Sequence, residues 1–72
     1  MDMIKKLNKK NVAKNVGKLI VESRYSREEL AEWLNVTPRV IYFWQEGKRI
    51  PNTESIYMLA QLFEVSMESI LA

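Results

Sequence analysis

The stretch TPRVIYFWQEGKRIP, residues 37–51, concentrates side chains suited to non-covalent recognition. Arg39 carries five N–H donors in a rigid fork and a permanent charge. Tyr42 brings a hydroxyl on an apolar ring and Phe43 a bare ring. Lys48 and Arg49 add two cations just past Gly47. Such a set binds anions, planar rings or a protein surface, and performs no covalent chemistry. The chain contains neither histidine nor cysteine, which removes the usual acid–base residue, thiolate metal sites and disulfides. Glu28 and Glu29 read as stabilisers of a first helical turn, not as a catalytic carboxylate pair. No nucleophile–base pair or phosphate loop is visible. The expectation is a non-enzymatic protein with no cofactor and no metal.

Three adjacent aromatics, Tyr42, Phe43 and Trp44, raise the question of which one is buried. Successive helical residues point about 100° apart, so they cannot share one face. Ile41 and Trp44, three apart, form an apolar stripe with Val36 just before the helix. Trp44 is therefore expected in the core. Pro38, Arg39, Tyr42, Phe43 and Glu46 fall on the opposite face, with Arg39 and Phe43 one turn apart. Two aromatics beside an arginine outside the core predict a contact surface.

The flanking residues predict the elements that hold this face. Val12, Val16, Leu19 and Ile20 give a first helix one buried stripe, ending near Ser23 or Arg24. Ser26 with Glu29 forms a capping box, and Leu30, Ala31 and Leu34 line the inside of a second helix. Asn35 suits the left-handed residue that closes it. Thr37 is the next N-cap and Pro38 fits the first turn of a third helix, which Gly47 stops. Asn52 or Thr53 opens a fourth helix burying Ile56, Leu59, Ala60 and Phe63. Tyr57 and Met58 flank that stripe, and Trp33 lies off the inner stripe of the second helix, to be covered by a loop or a dimer partner. Ser66 caps a short fifth helix with Ile70 and Leu71. Strand signals are absent, so the 72 residues predict one all-α domain of five short helices.

Charge is unevenly placed. Residues 1–18 carry six lysines against Asp2, a balance of +5, while residues 19–72 carry −3, leaving +2 overall. A basic arm at residues 1–10 before a domain at residues 11–72 indicates either contact with phosphates or a solvated N-terminus. No apolar run is long enough to span a bilayer and no leader pattern is present, so a cytoplasmic protein without membrane contact is expected.

The connection between helices two and three, Leu34-Asn35-Val36-Thr37, permits only a three- or four-residue turn and a steep crossing. At this point the sequence resembles the lambda repressor-like, or Cro/CI-type, helix-turn-helix family. The resemblance covers roughly Asn11 to Leu71 and is strongest in SREELAEWLNVTPRVIYFWQEGKRIP, where EELA, NVT, I..W and GKR.P fall at the family's intervals. The segment I..LAQLFEVSMESIL continues the pattern.

That resemblance implies a compact five-helix domain whose third helix enters the DNA major groove. It places Pro38, Arg39, Tyr42 and Phe43 at base edges, and Arg27, Thr37, Lys48 and Arg49 at phosphates. It implies a sequence-specific regulator of transcription, repressor-type, with double-stranded DNA as partner and a homodimer at least on DNA. Dimer contacts would use apolar side chains of the last helices, since no dimerisation domain follows residue 72; no small-molecule effector site is evident. Two departures stand out. Ile20 and Gln45 occupy positions where relatives pair an arginine with a glutamate, so both charges are absent together. Glu64 replaces a glycine, which predicts that the helix-four junction is not left-handed. Each cation also has a plainer role open to it: Arg27 beside a neighbouring glutamate, and Lys48 and Arg49 as turn charges. The alternative reading is a protein-interaction module using the Arg39, Tyr42 and Phe43 surface, whose composition matches protein hot spots.

Overall fold

The computed structural model describes residues 8–72. They form five helices: α1 (Lys9–Val21), α2 (Arg27–Leu34), α3 (Pro38–Gln45), α4 (Thr53–Phe63) and α5 (Met67–Leu71). Each helix starts on a residue whose side-chain oxygen accepts from the exposed N–H groups of the first turn. Ser26 accepts from the Glu29 N–H at 3.0 Å while Glu29 accepts from the Ser26 N–H at 2.9 Å, the expected capping box. Thr37, Asn52 and Ser66 cap α3, α4 and α5. Asn8 caps α1, accepting from the Lys10 and Asn11 N–H groups.

Two expectations shift at α1. The helix begins at Lys9, so Lys9 and Lys10 belong to it and not to a separate arm; Lys5 and Lys6 lie outside the described residues. Both Lys9 and Lys10 sit at the positive end of the helix dipole, where a cation is unfavourable by about 0.3–1 kcal/mol. At its other end α1 stops at Val21, short of Ser23.

Val12, Val16 and Ile20 from α1 meet Leu30, Ala31 and Leu34 from α2, Ile41 and Trp44 from α3, Ile56, Leu59 and Ala60 from α4, and Ile70 from α5 in one core. Trp44 is 4% exposed, at the position its spacing predicts. Leu19, Val36, Met58, Phe63 and Leu71 are half-buried along the margin. Phe63 is thus less enclosed than expected: it leans on Tyr25, ring centroids 6.2 Å apart. Tyr57 is mostly exposed. Trp33, 45% exposed, is met edge-on by Tyr25 of the α1–α2 connection at 4.7 Å.

The helix ends use the left-handed region three times. Asn35 (φ 58°) closes α2, and the next N–H, of Val36, donates to the Ala31 carbonyl at 2.9 Å. Gly47 (φ 73°) closes α3, and the Lys48 N–H donates to the Phe43 carbonyl at 2.9 Å. Glu64 corrects the expectation for the end of α4: it is left-handed, with φ 58°. The Val65 N–H donates to the Ala60 carbonyl at 3.0 Å, a bond that satisfies the end of α4 whatever the side chain at residue 64.

Candidate nucleic-acid interface

Asn35, Val36 and Thr37 alone connect α2 to α3. The left-handed Asn35 reverses the chain and Thr37 restarts it, so α3 leaves α2 at once. Gly17 sets the depth at which α3 sits. It is buried on α1, and a Cβ there would lie 2.9 Å from the Gln45 carbonyl oxygen, so only a residue without a side chain lets the two backbones approach this closely. With Ile41 and Trp44 turned inward, the remaining faces of α3 are presented outward.

On that outward side Pro38, Arg39 and Tyr42 are exposed and Phe43 is half-buried. The Arg39 guanidinium carbon stands 5.4 Å from the Phe43 ring centroid. Tyr42, 37% exposed, gathers two cations from different elements: the Arg27 guanidinium carbon at 5.2 Å and the Lys48 ammonium at 5.9 Å from its ring. The Tyr42 and Phe43 rings are 6.1 Å apart, so these five side chains form one continuous surface. Exposed cation–π contacts of this kind contribute about 0.5–1 kcal/mol each. Here they favour one placement of charges that would otherwise move freely on long side chains.

Arg27 opens α2 directly after the Ser26 cap, where the first N–H groups already favour an anion. Thr37 stands apart from the aromatic cluster at the start of α3. Its hydroxyl oxygen accepts from the Val40 N–H at 3.2 Å, which leaves its own proton free to donate. Lys48 and Arg49 are exposed just past Gly47. Glu46 lies on the other side of the α3 terminus and lines a depression shared with lysines of α1.

One contributor escapes a reading of the sequence. Gln45, half-buried, accepts from the Arg27 Nε at 3.4 Å, so the residue that replaces a charged partner orients a cation of the surface. The lysines of α1, which the charge balance already singled out, line a depression beside the α3 terminus. Among the described residues no group of His, Cys, Asp or Glu is placed to hold a metal ion. No helix there is long and apolar enough to cross a membrane.

Comparison with known proteins agrees with this geometry. The HTH-type transcriptional activator BcrR of Enterococcus faecalis is 36% identical over 47 residues, which are 65% of this chain and 23% of that protein. The chain thus spans about a quarter of that relative's length. The solution structure of the SOS-response transcriptional repressor LexA from Eubacterium rectale superposes with a TM-score of 0.77 at 23% identity, covering 89% of this chain and 68% of that one. At that identity the likeness concerns the fold. A helix-turn-helix family model matches residues 16–70, and with α2 and α3 disposed as described, the chain belongs to the lambda repressor-like helix-turn-helix family.

Proposed function

We propose that this chain is the sequence-specific, double-stranded DNA-binding module of a transcriptional regulator, with α3 lying in the major groove. The observation that carries the reading is the joined surface of Arg27, Arg39, Tyr42, Phe43 and Lys48 outside a helix whose inner face is locked by Ile41 and Trp44. Arg39 is the side chain fitted to a bidentate contact with guanine, and Phe43 to a thymine methyl. Tyr42 supplies its hydroxyl to a base or phosphate, and Pro38 contributes shape alone. Arg27, Thr37, Lys48 and Arg49 hold the flanking phosphates and fix the register of α3.

The similar proteins include one named an activator and one named a repressor. Repression needs only occupancy of the site, so repression is the sign proposed. One module buries little surface, and two copies on half-sites about 10 base pairs apart give useful affinity. Selection of binding sites from random duplexes tests the reading. Enrichment of a short motif, lost with Arg39→Ala, supports it; no enrichment and no salt-sensitive association with any duplex at low salt overturns it.

A second reading is favoured by Pro38, which has no side-chain hydrogen bond to offer a base, and by the aromatic and arginine content of the surface. On that reading Arg39, Tyr42 and Phe43 form the centre of a protein interface. Titration of duplex DNA followed by NMR separates the two, because a protein-binding module leaves the α3 resonances unmoved.

A further inference from the structure

α1 carries its lysines against the interest of the helix. Its sequence, KKNVAKNVGKLIV, has no acidic residue, and two lysines occupy the first turn, where the dipole disfavours them. Lys10, Lys14 and Lys18 follow at four-residue intervals, and like charges so spaced repel along the helix face. All three are exposed. An ordinary solvated face gains from opposite charges at this spacing; α1 itself has none between Lys10 and Lys18, and the series meets a carboxylate only at Glu22, the C-cap residue four beyond Lys18.

This lysine ridge is also placed next to the surface already described. Lys10, Lys14 and Lys18 line one surface depression with Gln45, Glu46 and Gly47, in which Glu46 is the single carboxylate among the described residues. Gln45 holds Arg27, and Gly47 leads directly into Lys48. The α1 cations therefore join the two groups of phosphate-directed charge around the end of α3. Eight residues of helix extend the ridge over about 12 Å, which corresponds to roughly three successive phosphates of one DNA strand.

We infer that Lys10, Lys14 and Lys18 form a second contact with the DNA backbone, gripping duplex beyond the bases that α3 meets and adding affinity without sequence preference. The inference rests on the DNA-binding reading above and extends its site from α3 to α1. The partner is a run of phosphates on duplex DNA.

The test uses the full chain and a labelled random-sequence duplex of about 30 base pairs, titrated between about 50 and 200 mM salt. The triple variant Lys10→Gln, Lys14→Gln, Lys18→Gln is expected to flatten the slope of log affinity against log salt by about 2–3, with the selected motif unchanged. The Lys→Arg triple should keep the wild-type slope. Circular dichroism and thermal melting confirm that both variants fold. Wild-type chain that binds no duplex would remove the DNA-binding reading itself. Wild-type binding with an unchanged slope in the Gln triple would overturn this inference alone, as would weaker binding without a change of slope. Vesicles containing phosphatidylserine probe the other common polyanion: loss of vesicle binding in the triple, with the DNA slope intact, would assign the ridge to a lipid surface and overturn the proposal.

Discussion

The guanidinium carbon of Arg27 stands 5.2 Å from the centre of the Tyr42 ring, so the first residue of α2 is held against the outer face of α3. The contact ties the charge that opens α2 to the outward helix, and Lys48 approaches the same ring from beyond the α3 terminus. Removing the ring frees both cations. Tyr42→Ala is expected to weaken duplex binding by roughly fivefold or more, the effect of about 1 kcal/mol of lost cation–π contact together with the lost hydroxyl, while Tyr42→Phe keeps the ring, loses only the hydroxyl contact and is expected to bind more tightly than Tyr42→Ala. Equal losses in the two variants, measured by fluorescence anisotropy, would move the role from the ring to the hydroxyl.

Arg39 and Lys48 are expected to fail in different ways. Arg39→Ala should reduce discrimination at one base position by about 1–3 kcal/mol. Lys48→Ala should weaken all sequences alike and flatten the salt slope by about one. Binding of each variant to the selected site and to its single-base variants reads both effects. A uniform loss with Arg39→Ala would place it on the backbone instead.

Gly17→Ala tests the spacing between α1 and α3. Alanine gains about 1 kcal/mol of helix propensity, yet its methyl group would meet the Gln45 carbonyl oxygen at 2.9 Å with backbone on both sides. Overpacking of this kind costs about 1–3 kcal/mol. A net loss of stability is expected, with the melting temperature falling by roughly 4–8 °C per kcal/mol for a domain of this size. An unchanged or raised melting temperature would show that the two helices can separate without penalty.

Glu64→Gly should act in the opposite direction. Glu64 has φ 58°, a conformation that carries a penalty of about 1–2 kcal/mol for a residue with a Cβ. Glycine removes that strain and adds some chain entropy to the unfolded state, so a net gain of about 0.5–1 kcal/mol is expected in denaturant unfolding. Destabilisation would mean that the Glu64 side chain has a compensating contact.

What could be read from the sequence was local and repetitive. Ser26 with Glu29, Thr37 before Pro38, and Ile41 with Trp44 each state their role within one helical turn, and the structure places them accordingly. Asn35 was legible because asparagine is among the few residues that enter the left-handed region readily. Glu64 was not, because its side chain gives no sign of that conformation and the requirement comes from the Ala60 carbonyl. Contacts between distant residues were equally hidden. The Asn15 side chain donates to the Ile70 carbonyl at 2.8 Å and Asn11 to that of Ala72 at 3.3 Å, so amides of α1 cap the end of α5. Nothing in the spacing of either residue announces it. The candidate site divides in the same way: the outward register of Arg39 and Tyr42 follows from periodicity, whereas the meeting of Arg27 with Gln45 depends on how α2 and α3 cross.

The bare Cα of Gly17 has a consequence for change over time. The pitch of the exposed helix is governed from behind, by a buried backbone contact on α1. On the DNA-binding reading, positions 39 and 43 can therefore be exchanged for other side chains, altering which target is chosen, while the mounting that aims them stays as it is.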